Sequence, residues 1–174
     1  KAAGFDLVIV ETPGIGQGDS GIVEMTDLSL YVMTPEFGAA SQLEKIDMLD
    51  FADVVAVNKL DRKGGLDAIR DVRKQVLRNR QAFADNAEDM PVFGTIASRF
   101  SDAGVTALYQ ELIAQFSGKG FNGFSCSIDA VDSKVSEPGD SIVPPERQRY
   151  LAEIAEAVRG YHDDVSKQVK IARE

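Results

Sequence analysis

A short apolar run at residues 53–57, Asp-Val-Val-Ala-Val, is followed at once by the polar tetrapeptide Asn58-Lys59-Leu60-Asp61. A run rich in valine without polar alternation is typical of a central parallel strand that is buried on both faces. Because polar side chains follow directly, the pattern predicts a strand that ends in a ligand-binding loop. Taken alone, the four residues are also compatible with an ordinary polar turn.

The residue types at 58–61 suit recognition of a guanine base. The Asp61 carboxylate is able to accept two hydrogen bonds, from guanine N1-H and from the exocyclic amine, whereas adenine has no donor at N1. The Asn58 amide is suited to bonding guanine N7 and to joining neighbouring loops. The aliphatic stem of Lys59 is suited to lying across the plane of the base. With Leu60 between them, these residues predict a guanine-specific site.

A second apolar run, residues 5–10, predicts another central parallel strand and ends in Glu11-Thr12-Pro13-Gly14. An acid at a strand tip is well placed for a phosphate-bound Mg2+, and Gly14 allows the backbone to donate an N–H to a γ-phosphate. GTPases commonly have Asp-x-x-Gly here, so we interpret Glu11 as a variant of that pattern. The alternative is a strand-to-loop turn punctuated by proline and glycine.

The middle of the chain alternates strands and helices. Periodicity and capping patterns predict strands at 28–33, 53–57 and 91–96, and helices at 41–50, 66–83 and 105–116. The helix at 66–83 has apolar residues near helical spacing, Ile69, Val72, Val76 and Phe83. Ala97-Ser98 follows the last strand, where GTPases place a short base-contacting loop, although a generic turn also fits. The series predicts an α/β fold, a P-loop GTPase-type parallel sheet flanked by helices.

A phosphate-cradling loop of the form Gly-x-x-x-x-Gly-Lys-Ser/Thr would precede the strand at 5–10, but the sequence begins only a few residues before it. Residues 118–120, Gly-Lys-Gly, do not match the pattern. We therefore expect residues 1–116 to be the C-terminal part of a P-loop GTPase domain, a fragment that lacks the P-loop and the first metal ligands.

The character of the sequence changes after residue 116. Residues 117–145 are rich in glycine, serine and proline and read as a linker, although they include four apolar residues that suggest packing, Phe121, Phe124, Ile128 and Val131. Residues 146–174 predict a C-terminal amphipathic helix with a continuous apolar stripe, Leu151, Ile154, Val158, Tyr161, Val165 and Val169. We expect this helix to connect to a following domain, with a self-associating coiled coil as the alternative.

Composition excludes several classes of function. A net charge of -9 argues against nucleic-acid binding, which needs a basic face. The sequence has no apolar run long enough for a membrane span, so no membrane partner is expected. The single cysteine, Cys126, has no internal partner, which suits a cytoplasmic location. The single histidine, His162, lies outside both motifs, and solvent exposure or packing explains it better than catalysis.

Residues 10–19, 42–45 and 51–59 resemble the GTPase chaperones of cobalamin-dependent acyl-CoA mutases, and the resemblance covers the chain from about residue 4 to 116. The continuation at 144–154 is similar to the fused isobutyryl-CoA mutases, in which such a domain lies between a cobalamin-binding domain and a substrate-binding barrel. The resemblance implies GTP/GDP and Mg2+ as ligands and adenosylcobalamin as the cofactor of the full-length protein. It also implies that GTP hydrolysis gates the loading and repair of that cofactor.

The same resemblance assigns roles to single residues. Glu11 and Thr12 match metal-site positions, and Gln42 and Lys45 match a third switch loop that couples the nucleotide to the mutase and aids hydrolysis. Related chaperones carry an acid in that loop where this chain has Ala39 and Ala40. The partners implied are the cobalamin-binding and substrate-binding domains of the same chain, in a homodimer.

Two other functions fit the residues. One is a GTPase that inserts nickel into a hydrogenase or urease, which has the same architecture. The other is a nucleotide-free structural module that bridges two mutase domains. A cobalamin-binding motif, a His-rich stretch or a degenerate P-loop upstream would distinguish the three.

Overall fold

The computed structural model of this chain describes residues 4–12, 21–38, 40–137, 147 and 149–173. The chain divides into two compact units. The first comprises Lys1–Ser98 with Asp102–Pro138, and the second comprises Arg99–Ser101 with Gly139–Glu174. The candidate site lies in the first unit.

Three parallel strands form the sheet, β1 (Leu30–Met33), β2 (Val54–Asn58) and β3 (Val92–Thr95), in the order β1-β2-β3. The four apolar residues of β2 are fully buried, as expected for a central strand covered on both faces. The predicted strands at 28–33, 53–57 and 91–96 are therefore confirmed, with ends shifted by one or two residues.

Helices cover both faces of this sheet. The helices of the first unit are α1 (Ala40–Leu43), α2 (Met48–Phe51), α3 (Gly65–Asn79) and α4 (Ala103–Gly118). Three short 3-10 turns accompany them, at Val23–Met25, Pro35–Phe37 and Ala87–Asp89. The larger core cluster packs α3 and the α1–α2 region against one face of β2, while α4 packs on the other face around Val54, Phe93 and Ala107. The α/β fold with a flanked parallel sheet is confirmed.

Two of the predicted helices differ in detail from those observed. The segment predicted as one helix at 41–50 forms α1 and α2, which are separated by a turn. Helix α3 ends at Asn79 because the chain turns there: Gln81 has a φ of 52°, and Ala82 donates its N–H back to Leu77 O at 3.1 Å. Ile69, Val72 and Val76 are buried as predicted, but Phe83 lies beyond the helix and is 72% exposed.

The predicted strand at 5–10 is wrong. The described residues 4–12 have no regular secondary structure and all are exposed, with Ile9 84% exposed. A central strand needs a ladder partner on each side, and none of the strands described here pairs with this segment. Glu11 therefore does not lie at a strand tip in this structure. An apolar run signals a preference for burial, but the pairing depends on tertiary neighbours.

The amino ends of β1 and β2 are joined by a polar cluster. Asp53 Oδ2 accepts hydrogen bonds from Ser29 N–H at 2.8 Å and from the Ser29 hydroxyl at 2.9 Å, and Asp53 Oδ1 contacts Lys119 Nζ at 3.0 Å. Burial works against ionisation of this carboxyl, but the bonds from Ser29 and Lys119 outweigh it and lower the pKa of Asp53. The cluster fixes one end of the sheet, opposite the candidate site.

The segment that follows α4 packs on the first unit. Phe116 contacts Phe121 and Phe124, with ring centroids 6.3 and 5.1 Å apart. The Gln110 side chain donates to Asp129 O at 2.8 Å and accepts from Val131 N–H at 3.2 Å. Of the four apolar residues that were noted in the linker, Phe121 and Phe124 thus pack on α4, whereas Ile128 is 54% exposed.

The second unit contains one long helix, α5 (Tyr150–Arg173). Its apolar stripe, from Leu151 to Val169, is between 41% and 77% exposed. None of the helices in the described part of the chain is long and apolar enough to cross a membrane.

Candidate nucleotide-binding site

Two polar loops leave the sheet side by side at its carboxyl edge. Asn58 is the last residue of β2 and Thr95 is the last residue of β3, and the two are partners in the parallel register. The loop at 58–61 and the loop at 96–98 therefore begin next to each other. The carboxyl edge of a parallel sheet is where α/β proteins place their ligands.

The Asn58 side chain joins these two loops. Its Oδ1 accepts a hydrogen bond from Ala97 N–H at 3.0 Å and another from the Thr95 hydroxyl at 3.2 Å. A backbone N–H is only a donor, so the oxygen of the amide must face Ala97. Neither bond uses the amide nitrogen of Asn58, which remains available to donate to a ligand.

A buried leucine and an unusual backbone conformation shape the loop at 58–61. Lys59 has a φ of 58°, in the left-handed region, which costs a non-glycine residue about 1 kcal/mol. Leu60 compensates, because its side chain is buried in the core and its N–H donates to Thr95 O at 3.1 Å. Lys59 and Asp61 on either side of it are exposed. The loop thus presents one cationic and one anionic side chain to solvent.

Helix α3 begins directly behind this loop. A Cβ added at Gly65 would lie 2.1 Å from Leu60 O, which is a clash with backbone and not with a movable side chain. The preceding Gly64 has a φ of 83°, a conformation that favours glycine. The two glycines therefore allow the helix to start close enough to support the loop.

A third loop reaches the same edge from β1. The Arg62 guanidinium donates to the Glu36 carboxylate, which links the segment after β1 to the loop after β2. Hydrogen bonds from the Thr34 hydroxyl, the Glu36 N–H and Arg62 lower the pKa of Glu36 to about 2. Both side chains are about half exposed, so the pair orients the two loops more than it stabilises the fold.

The structure brings together some of the predicted site residues and leaves others apart. Ala97 and Ser98 directly follow β3 and are exposed beside the loop at 58–61. Gln42 and Lys45 are also exposed and share a turn, in which Lys45 N–H donates to Gln42 O at 3.0 Å. No hydrogen bond in the described part of the chain joins them to the loop at 58–61.

The predicted metal-site residues lie in the irregular segment before residue 13. Glu11 and Thr12 are exposed there, and no hydrogen bond or ion pair among the described residues connects them to the strand tips. Gly14, the predicted γ-phosphate contact, lies outside the described residues. The assembled part of the candidate site therefore consists of the loops after β2 and β3.

The sequence prediction missed two residues that organise these loops. Thr95 supplies a hydroxyl to Asn58, and Asp102 caps helix α4 by accepting from Val105 N–H at 3.0 Å. The Asp102 carboxylate also accepts from Ile96 N–H at 3.1 Å. An aspartate just before a helical pattern is a recognisable N-cap signal, but its second bond to Ile96 has no signature in the sequence.

The parallel sheet, its flanking helices and the loops gathered at the carboxyl ends of β2 and β3 define a P-loop GTPase-type α/β domain. The family model described as "Methylmalonyl Co-A mutase-associated GTPase MeaB" matches residues 1–137. The chain belongs to this family, as the resemblance predicted.

The curated proteins that are similar to this chain include fused mutases and proteins described as GTPases. The chain is 62% identical over its whole length to the fused isobutyryl-CoA mutase of Cupriavidus metallidurans, and it covers 16% of that protein. It is 59% identical over 99% of its length to the fused isobutyryl-CoA mutase of Nocardia farcinica, again covering 16% of it. A putative GTPase of Caulobacter vibrioides is 39% identical over 35% of this chain and 19% of its own length. The chain thus spans about one sixth of the fused relatives, 16% of their length.

Proposed function

We propose that this domain binds and hydrolyses GTP in a Mg2+-dependent reaction, and that hydrolysis gates the loading and repair of adenosylcobalamin in a fused acyl-CoA mutase. The observation that carries the proposal is the bond from Ala97 N–H to Asn58 Oδ1, at 3.0 Å. It holds two loops together beside the exposed carboxylate of Asp61.

The chemistry of the assembled loops fits guanine. The Asp61 carboxylate is an acceptor for the paired donors N1-H and N2-H2, and the amide nitrogen of Asn58 is a donor for N7. The stem of Lys59 is free to lie over the base, since Leu60 and not Lys59 anchors the loop. The backbone at Ala97 and Ser98 completes this side of the site. An adenine base would leave the Asp61 carboxylate facing an acceptor, which costs affinity.

The phosphate side involves residues that the structure does not join to the base loops. The carboxylate of Glu11 and the hydroxyl of Thr12 are oxygen donors, the type that Mg2+ prefers. When bound, Mg2+ neutralises charge on the transferred phosphoryl group. We assign Gly14 to the γ-phosphate, and Gln42 and Lys45 to a switch loop that assists hydrolysis. The exposure of Gln42 and Lys45 on one turn leaves both side chains free to reach a nucleotide.

The proposed partners follow from the relatives, which are fused isobutyryl-CoA mutases over the whole of this chain. We propose that the domain acts on cobalamin-binding and substrate-binding domains of the same polypeptide, within a cytoplasmic homodimer. Adenosylcobalamin would bind to those domains and not to this one.

A substitution of Asp61 in the full-length protein offers the most direct test. Asp61→Asn should weaken GTP binding by about 2 to 5 kcal/mol and improve binding of XTP, because the amide presents donors to the guanine donors. Calorimetry with GTP, ATP and XTP measures both effects. Equal GTP affinity in the wild type and the variant would remove the assignment of the site.

The gating step needs a second measurement in the same protein. The transfer of adenosylcobalamin to the mutase should depend on the nucleotide and should slow when GTP is replaced by a non-hydrolysable analogue. A transfer rate that is the same with GTP, with the analogue and without nucleotide would show that the domain does not gate loading.

A further inference from the structure

Residues 134–136 lie along the outer edge of β3 as an added strand segment. Gly94 N–H donates to Lys134 O at 2.9 Å, and Ser136 N–H donates to Gly94 O at 3.0 Å, so Val135 forms a parallel bridge with Gly94. Lys134 Nζ adds bonds to the carbonyls of Glu88, Asp89 and Met90. A segment that reads as a linker in the sequence is therefore joined to the edge of β3 by one parallel bridge.

The Ser136 side chain is buried where this segment meets helix α4. It is 2% exposed, and its Oγ lies 2.6 Å from Asp102 Oδ2 and 3.0 Å from Gly94 O. A hydroxyl has one proton, and the shorter distance to a carboxylate assigns the donated bond to Asp102. Asp102 is itself only 5% exposed. The bond is thus shielded from water, and its loss leaves a buried carboxylate short of a donor.

The carboxylate oxygen that binds Ser136 also binds the loop of the candidate site. Asp102 Oδ2 accepts from Ile96 N–H at 3.1 Å, and the next amide, that of Ala97, donates to Asn58 Oδ1 at 3.0 Å. Two consecutive peptide groups therefore connect the Ser136–Asp102 bond to the base-reading loop. A shift of Asp102 would move Ile96, and with it the amide on which Asn58 depends.

A glycine makes this arrangement possible. A Cβ at Gly104 would lie 2.0 Å from Gly94 O and 2.5 Å from Ser136 Oγ. Helix α4 thus approaches β3 and Ser136 more closely than any other residue at position 104 would allow. The close approach leaves little room for Asp102 to move while Ser136 is in place.

We infer that Ser136 is a positioning residue for guanine-nucleotide binding: by holding Asp102, it fixes the loop at 96–98 against Asn58. The inference rests on the proposed function, because it assumes that the loops after β2 and β3 hold a guanine base. Residues 134–136 of the linker thereby set the affinity for nucleotide. Since coupling is reciprocal, bound nucleotide should in turn hold the linker against β3.

The test compares two buried serines in the full-length protein. Ser136→Ala should weaken GDP and GTP binding equally, by about 5- to 30-fold, because the base is common to both nucleotides. The matched control is Ser29→Ala, which removes a buried serine hydroxyl bonded to Asp53 at the opposite end of the sheet. It should lower thermal stability but change nucleotide affinity less than about 2-fold. Fluorescence titration with a labelled GDP, well below the unfolding temperature, measures both variants.

Three outcomes would overturn the role of Ser136, and they distinguish its failure from failure of the proposed function. If Ser136→Ala binds like the wild type, or if Ser29→Ala is equally impaired, Ser136 only stabilises the fold and the inference is overturned. If the wild type binds no guanine nucleotide and Asp61→Asn changes nothing, the proposed function fails and the inference fails with it. If Asp61→Asn weakens binding but Ser136→Ala does not, only the inference fails.

A measurement on the wild type covers the case in which Ser136→Ala does not fold. Hydrogen–deuterium exchange of the full-length protein should show that GDP slows exchange at the amides of 96–97 and also at Ser136, whose N–H bonds to Gly94 O. Slower exchange at 96–97 without a change at Ser136 would contradict the coupling.

Discussion

The Asn58 side chain accepts the backbone N–H of Ala97 at 3.0 Å, so a residue at the end of one strand holds the loop that follows the next strand. The two residues are 39 positions apart in sequence. The amide oxygen therefore orders the protein, while neither of its bonds uses the amide nitrogen, the atom proposed to donate to a base. Removing the amide should disturb both loops.

Asn58→Ala should weaken guanine-nucleotide binding by about 1 to 3 kcal/mol, with equal effects on GTP and GDP. The loss comes from the missing donor to the base and from the freed loop at Ala97. Asn79→Ala is a suitable control, since Asn79 bonds Gln75 on the surface of α3 and not the site. Calorimetry on both variants makes the comparison, and matching affinities would show that the loop bond is not needed for binding.

Gly65→Ala should destabilise the protein by about 1 to 3 kcal/mol and weaken nucleotide binding as well. The added methyl group meets Leu60 O at 2.1 Å, so the loop at 58–61 or the start of α3 has to move. Gly118→Ala provides the control, because no atom lies within 4 Å of a Cβ there. Denaturant unfolding and a GDP titration of both variants test the prediction. Wild-type stability in Gly65→Ala would contradict the prediction, because it would show that the loop at 58–61 moves aside without a loss of folding free energy.

Asp53→Asn should lower stability at neutral pH by about 1 to 2 kcal/mol, an effect limited by the partial exposure of Asp53 and Lys119. The folded-state pKa of Asp53 is lowered from 3.8 by the bonds from Ser29 and Lys119, which outweigh the opposing effect of burial. The stabilisation is therefore fully present above the unfolded pKa and is lost as the pH falls through the folded pKa.

The difference in unfolding free energy between the wild type and Asp53→Asn should be constant from pH 7 to about pH 5 and shrink below about pH 4. Asp50→Asn, at an exposed position on α2, should show no such difference. If the difference in unfolding free energy is the same at pH 3 as at pH 7, the ionised carboxylate does not stabilise this end of the sheet.

Features that depend on local sequence were predicted well, and features that depend on distant contacts were not. The strand at β2 and the loop that follows it are both specified by adjacent residues, 53–57 and 58–61. By contrast, the run at 5–10 has the composition of a strand but no described strand pairs with it. The periodicity of α3 identified Val72 and Val76, yet the turn at Gln81 left Phe83 outside the helix.

In the candidate site, too, the residue types were predicted from the sequence, but the contacts between distant residues were not. The types of Asn58 and Asp61 indicate their chemistry, and the sequence even predicts that Asn58 joins neighbouring loops. The partner of Asp102 could not be predicted, because Ser136 is 34 residues away in a segment whose sequence reads as a linker. Only the folded chain shows that this segment bridges to the edge of β3.

Glu11→Ala in the full-length protein should slow GTP hydrolysis by about 10- to 1000-fold while changing GDP affinity much less. The expectation rests on the carboxylate of Glu11 supporting the Mg2+ that neutralises charge between the β- and γ-phosphates, and GDP has no γ-phosphate for that charge to develop on. Asp85→Ala is the control, because Asp85 is also an exposed acid but lies in the turn after α3, outside the proposed switch loop. Single-turnover hydrolysis and a GDP titration separate the two effects. A Glu11→Ala protein that hydrolyses GTP at the wild-type rate would place the metal site elsewhere and leave the loops at 58–61 and 96–98 as the supported part of the site.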